Sequence, residues 1–360
     1  MTGYRPPVGV VAFARLEWER LLPIPGQVLV RVGDKLEATD VVARALQPGA
    51  LYALNAARAL GVGNSALPRY MVKAEGEDVQ ERQVLAAKGG VFGLFRKKCV
   101  APVSGSIASV AQGRILLERE PVTLELRANV RGEVINVIPD RGAVIASTGA
   151  LVRGAWSSGK EGYGIVRVIG EREQPLTADL IDSSCHGALV VGGASVTREA
   201  LDKAQEAKVR AIVVGGIDAN LREHAAGLDY PVVAMQGFGE MPMSQAAHAL
   251  FEKHQGREAM VAPRQAARAS ARPEIMIALP SDQEATRAAA QWGEATAGTR
   301  VLLTRAPYAG LAGQVADAAQ RLQDPDTGIA FWGVRVLLDD GRKLAVPLTN
   351  LDLIQEDPAG

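Results

Sequence analysis

Two cysteines in 360 residues rule out a disulfide framework. Cys99 and Cys185 lie far apart in sequence, which fits a reducing compartment. Aromatic residues make up only 4% of the chain, while glycine is abundant at 38 residues. That mix suits glycine-punctuated β structure and Val/Ile-rich α/β layers. An excess of either charge is also missing: Lys+Arg and Asp+Glu number 40 each. A global pull toward nucleic acid or anionic membrane is not expected, which leaves only local patches. No run of 18 apolar residues is present, so no membrane span is expected. The segment "MTGYRPPVGVVAFARLEWERLLP" is interrupted by Arg15, Glu17, Glu19 and Arg20, and reads as no signal peptide. Together these features place the chain in the cytoplasm.

Catalytic signatures are absent as well. The sequence holds no paired carboxylates, no G-x-S-x-G and no C-x-x-C. His186, His224, His248 and His254 show no metal-ligand spacing; the last two fall on different helix faces. Cys185 adjoins His186, but neighbours in an extended segment point to opposite faces, so a structural role is expected. No catalytic residue, metal or cofactor is expected. One stretch, "RGAWSSGKEGYG" (153–164), has the Gly154…Gly159-Lys160 spacing of a phosphate-binding loop. Glu161 stands where Mg²⁺ needs a hydroxyl, and a strand-like run follows instead of a helix. The glycines are therefore read as turn residues joining two strands, with Lys160 and Glu161 at a solvated tip. Trp156 and Tyr163 are left as a protein contact.

The first half repeats itself. "VGDKLEATDVVA" (32–43) aligns without a gap on "EGEDVQERQVLA" (75–86). "SGSIASVAQGRIL" (104–116) resembles "RGEVINVIPDRGAVI" (131–145), with two residues inserted. Each unit reads as strand, Gly turn, strand. A helix is expected around 49–61 from its Ala and Leu content. "EGEDVQERQVLA" followed by "VAPVSGSIASV" resembles the barrel-sandwich hybrid fold of biotinyl and lipoyl carriers, of large RNA polymerase subunits and of membrane redox-complex subunits. That resemblance spans about 26–170. Lys88, Lys97 and Lys98 lack the flanking pattern of a modified carrier lysine.

From residue 176 the period changes. Strand-like "GALVVGG" (187–193), "RAIVVGG" (210–216) and "YPVVAMQGFGEMPM" (230–243) alternate with helical segments capped by Thr197, Asp218 and Ser244. "EAMVAP" (258–263) and "EIMIALP" (274–280) supply further strands. Alternation argues for a parallel sheet covered on both faces. The segment looks Rossmann-like or flavodoxin-like. Ligands bind such sheets beyond the strand carboxyl ends. Gly192, Gly193, Ser195, Thr197, Gly215, Gly216, Asp218, Gly237, Gly239 and Glu240 line that edge. They either hold a small anionic metabolite or only permit tight turns.

"GTRVLLTRAPYAGLAGQV" (298–315) and "VRVLLDDGRKLAVPLTNLDLI" (334–354) resemble a KOW module. This SH3-like barrel occurs in ribosomal proteins and elongation factors. Arg300, Arg305, Tyr308 and Trp332 are its candidate partner residues. Its charges nearly cancel, so RNA, protein and purely architectural roles all remain open.

The expected architecture is an α+β multidomain chain. A β-rich barrel-sandwich hybrid with internal repeats covers 1–175. A small parallel α/β sheet covers 176–280, a linker 281–297, and an SH3-like β-barrel 298–360. The expected function is a non-catalytic adaptor for a protein or ribonucleoprotein assembly of transcription or translation. The alternative is a metabolite- or nucleotide-binding α/β sensor or enzyme.

Overall fold

The computed structural model describes residues 4–89, 97–263, 272–280, 292–324 and 327–355. The chain is β-rich, and one large mixed sheet runs through it. At its centre lies the long strand Val8–Leu21. Inward Leu16 and Trp18 alternate with exposed Arg15, Glu17 and Glu19, the period-two pattern of a half-buried strand. On one side it pairs antiparallel with Gly142–Arg153, Trp18 opposite Ile145. On the other it pairs parallel with Leu351–Gln355, Val8 opposite Leu353.

The ribbon continues in both directions. Beyond Gly142–Arg153 come Glu274–Ala278, Glu258–Ala262 and Gly162–Val168, all antiparallel to their neighbours. Then Gly162–Val168, Ala188–Val191, Ala211–Ile217 and Val232–Phe238 run parallel to one another. In the other direction Leu351–Gln355 pairs with Arg300–Leu303, followed by Ala312–Val315, Ala330–Leu338 and Lys343–Pro347. Val301, Leu303, Val315, Val334 and Val346 are buried in this last group.

Both faces of the parallel strands are covered. Helix Arg198–Glu206 buries Ala200, Leu201 and Ala204 against Val190, Ile212 and Val214. Helix Gln245–Lys253 buries Ala247, Leu250 and Phe251 on the face carrying Leu189, Val191 and Val213. Gly162–Val168 is the first strand of this layer, so the layer reaches back across the boundary expected at 175. The hydrogen-bonding partner decides membership here, and a short Val/Ile run does not name its partner. The helix expected over 49–61 is confined to Ala56–Leu60. Leu51–Leu54 is instead a strand against Arg114–Arg119, because pairing overrides Ala/Leu helix propensity. The expected connections at 263–273 and 281–297 fall largely outside the described residues.

The repeat is realised bond for bond. Gly33 and Gly76 both take positive φ, +93° and +84°. The Gly33 amide donates to the Val134 carbonyl and the Gly76 amide to the Ile107 carbonyl, each at 2.8 Å. Asp34 accepts from the Arg31 amide as Glu77 accepts from the Ala74 amide. Gly132 lies opposite Leu36, and Gly105 opposite Val79. The copies are nested. In the first copy Val41–Gln47 pairs with Val122–Arg127, Gln47 facing Val122. The chain leaves this strand pair after Gln47 and returns at Val122, and the described residues between them form the second copy. It has its own core of Leu60, Leu67, Leu85, Ile107, Ile115 and Leu117.

Candidate functional site

The strand carboxyl ends bring the glycine loops together as the sequence implies. What fills the space between them is the chain itself. The Gly215 amide donates to the Gly193 carbonyl, and the Gly216 amide to the Ala194 carbonyl, both at 2.9 Å. Ala194 also accepts from Met241 at 3.0 Å, and Ser195 accepts from Leu176. A Cβ on Gly215 would lie 1.9 Å from the Met241 carbonyl oxygen. On Gly216 it would lie 2.1 Å from the Gly239 oxygen, and on Gly192 2.0 Å from that of Ile169. These glycines therefore serve close main-chain packing, and no open space lies against them. The helix caps are occupied too. Thr197 accepts from Ala200, Asp218 from Asn220 and Ser244 from Ala247. At Gly237 and Gly239, both at φ +107°, an added Cβ would point into nearly open space, and Glu240 is exposed.

The outer rim of this edge is aromatic. Phe238 ends its strand 44% exposed. Its ring centroid lies 5.8 Å from Trp156 at an interplanar angle of 53°, and the Arg222 guanidinium sits 5.4 Å above it. Two residues back along the strand, Gln236 meets the C-terminal group. A Cβ on Gly310 would lie 3.6 Å from the Gln236 amide and 3.5 Å from the Pro242 carbonyl oxygen. The loops 236–242 and 305–311 are thus neighbours. Tyr308 is half-buried there, with the Arg342 guanidinium 5.8 Å from its ring. Arg305 is exposed, and Trp332 is exposed on a different hairpin, opposite Arg321. Phe238 and Arg222 were not distinguished by sequence reasoning, since nothing in "QGFGEMP" marks which apolar residue faces outward.

Three arginines of the C-terminal group are already paired. Arg300 makes a bidentate contact with Asp339, at 2.5 and 3.0 Å. Arg335 binds Asp317 at 2.7 Å, and Arg342 binds Asp340 at 2.6 Å. All three carboxyls are held below the ordinary aspartate range. The first cause is the Arg335 amide hydrogen bond for Asp317, and the Arg300 and Arg342 side-chain bonds for the others.

The Gly154–Glu161 loop is pinned from inside. Glu161 takes both guanidinium nitrogens of buried Arg20 at 2.9 Å, and Lys160 donates to the Leu228 carbonyl. Glu161 is exposed, as expected of a loop tip, but its carboxylate is held by Arg20; Lys160 is half-buried and reaches back to Leu228 instead of into solvent. Glu161→Ala should lower stability by about 2 kcal/mol, the scale of a charge-assisted hydrogen bond. Urea unfolding measures this. An unchanged midpoint would mean that Arg20 finds another acceptor. Lys160→Ala should leave ATP binding undetectable, as in the parent, by calorimetric titration.

A cleft of ≈ 500 Å³ lies on the flank of the α/β layer, lined by Glu171, Arg172, Glu173, Gln245, His248 and Glu252. Within it Arg172 pairs with Glu173, His248 lies 3.4 Å from Glu252, and Glu171 accepts from the Gln174 amide. Buried Cys185 contacts Asp182, while neighbouring His186 is exposed. Among the described residues no His, Cys, Asp and Glu side chains gather closely enough to hold a metal ion. No described helix is long and apolar enough to cross a membrane. No known family model matches the chain, and no curated protein matches it.

Proposed function

We propose that this chain is a non-catalytic adaptor that binds a macromolecular assembly through the aromatic rim formed by Trp156, Phe238, Arg222 and Tyr308. The observation that carries this reading is the exposed Phe238, in contact with Trp156 and Arg222, at the edge of glycine loops closed by their own main chain. Aromatic and arginine side chains held in place by one another make strong protein contacts at little entropic cost. The finer architecture proposed is a barrel-sandwich hybrid scaffold, a Rossmann-like layer and a KOW-like SH3 barrel. The nested repeat, the four parallel strands and the antiparallel C-terminal group support it. The KOW-like part suggests a partner in the transcription or translation machinery, in the cytoplasm.

The test is affinity purification of the full chain from native lysate, with and without nuclease. Phe238→Ala combined with Tyr308→Ala should reduce capture of specific partners at least tenfold, while stability changes by about 1 kcal/mol or less. Capture that survives the double substitution would move the surface elsewhere. Because the charges of the C-terminal segment nearly cancel and Arg342 beside Tyr308 is paired with Asp340, binding at this rim should depend only weakly on salt. The second reading, a metabolite-binding α/β module, rests on the cleft beside His248 and Glu252. Thermal-shift screening of phosphorylated metabolites distinguishes it.

A further inference from the structure

Charge is balanced over the whole chain but not within the inserted copy. Residues 48–121 carry ten Lys/Arg and six Asp/Glu. The acids cluster at 75–81 and 118–120. From Arg82 to Leu117 the sequence has six basic residues and no acidic one. The hairpin of Val84–Lys88 and Lys97–Val100 lies inside that span. Its register sets Lys88 directly opposite Lys97 and Ala87 opposite Lys98. Like charges facing each other across a strand pair are unfavourable unless something neutralises them.

The protein supplies little neutralisation. None of Arg58, Lys88, Lys97 and Lys98 forms an ion pair with a described residue. Lys88 donates to the Gly61 carbonyl at 3.3 Å, and the Lys97 ammonium lies 3.1 Å from where a Cβ on Gly61 would stand. Both ammoniums thus converge on the C-terminal end of helix Ala56–Leu60, which also carries exposed Arg58. One carbonyl dipole does not balance two full charges. Lys97 and Lys98 are exposed. The C-terminal strands behave in the opposite way, since Arg300, Arg335 and Arg342 are each matched by an aspartate.

We propose that the basic end of the inserted copy, Arg58, Lys88, Lys97 and Lys98, binds the phosphate backbone of single-stranded nucleic acid. Lys88, Lys97 and the helix of Arg58 meet at one end of the inserted copy, and Lys98 carries the positive charge round to the other face of the same strand; among the described residues none of the four has an acidic partner. A nucleic-acid strand is the ligand with several evenly spaced monoanions to meet them. The contact is independent of sequence, because lysines reach phosphates without reading base edges. This inference goes beyond the adaptor reading and uses none of its residues, so either can fail alone.

The experiment is fluorescence anisotropy of the full chain with a labelled mixed-sequence RNA of about 20 nucleotides, at about 50 mM and about 200 mM salt. The parent should bind at low salt and weaken steeply with salt. Lys88→Glu, Lys97→Glu and Lys98→Glu together should weaken low-salt binding at least tenfold. They should also flatten the log–log salt slope by about 2, at roughly 0.7 per lost single-strand contact. The three Lys→Arg changes should retain binding. Glutamate at Lys35, Lys203 and Lys253, an equal charge change elsewhere, should retain most of it. Thermal melts check folding, and Lys97→Glu with Lys98→Glu, both at exposed positions, serves if the triple variant melts early. The proposal is overturned if the parent does not bind RNA at low salt, or if folded glutamate variants bind as the parent does. It is equally overturned if the lysines matter only for binding to anionic lipid vesicles.

Discussion

Replacing Arg272 with alanine should cost about 3–5 kcal/mol, the scale for leaving a buried charge without its partner. Arg272 donates to Asp352 at 2.5 Å, and to the Gly154 carbonyl at 2.8 Å. Asp352 is 2% exposed, and a Cβ on Gly9 would lie 2.6 Å from its oxygen, so water has no room to substitute. Burial raises the Asp352 pKa above the ordinary aspartate value, against the attraction of Arg272, Arg153 and Arg305. The folded chain therefore holds this proton more tightly than the unfolded one. Such a group's contribution is complete below the unfolded pKa and fades as pH rises through the folded pKa. Arg272→Ala removes a lowering partner and pushes the folded pKa up further. Its deficit should then be largest near neutrality and shrink as the pH falls through the raised Asp352 pKa. Asp352→Asn in the same background should restore much of the loss at neutral pH. Urea unfolding of both variants across pH decides it; a pH-independent deficit, or no rescue, would show that lost packing dominates.

Gly215→Val should be at least as damaging, at about 4 kcal/mol or more. A side chain there meets the Met241 carbonyl oxygen at 1.9 Å and the Met243 amide nitrogen at 2.6 Å, both main chain and unable to swing aside. Thermal unfolding should show a large fall in Tm or a failure to accumulate folded protein. Gly237→Ala, with its Cβ in open space at φ +107°, should cost only the strain of its backbone conformation, about 1–3 kcal/mol. Equal losses at both positions would contradict the packed edge. The contrast also means that Gly215 substitutions report packing rather than ligand binding.

Much of the local structure was legible in the sequence. Gly33 and Gly76, Asp34 and Glu77 mark equivalent turns because turn chemistry is local. The helix caps Thr197 and Ser244 were legible for the same reason. Partners were not. Nothing in "GYGIVRV" says whether it joins the β repeats or the parallel layer, because a strand's neighbour is a non-local choice. The glycine pairs announce that something approaches closely; only coordinates reveal that main chain, not ligand, does so. The near-zero charge of the C-terminal segment was legible as a sum, but the pairing of Arg300, Arg335 and Arg342 was not. Nesting escaped notice because copies aligned in sequence say nothing about which one interrupts the other.

The central strand Val8–Leu21 receives its second neighbour only when residues 351–355 exist. During synthesis its first residues, Val8 to Val11, must wait through more than three hundred codons with one edge unpaired. Buried Val8 and Val11 are apolar on that edge. The inserted copy, with its own core and hairpin-joined ends, can close long before then. Translation thus divides the chain into an early-folding module and a sheet that is completed last. The waiting edge is the place where a chaperone, or a neighbouring nascent chain, would find it.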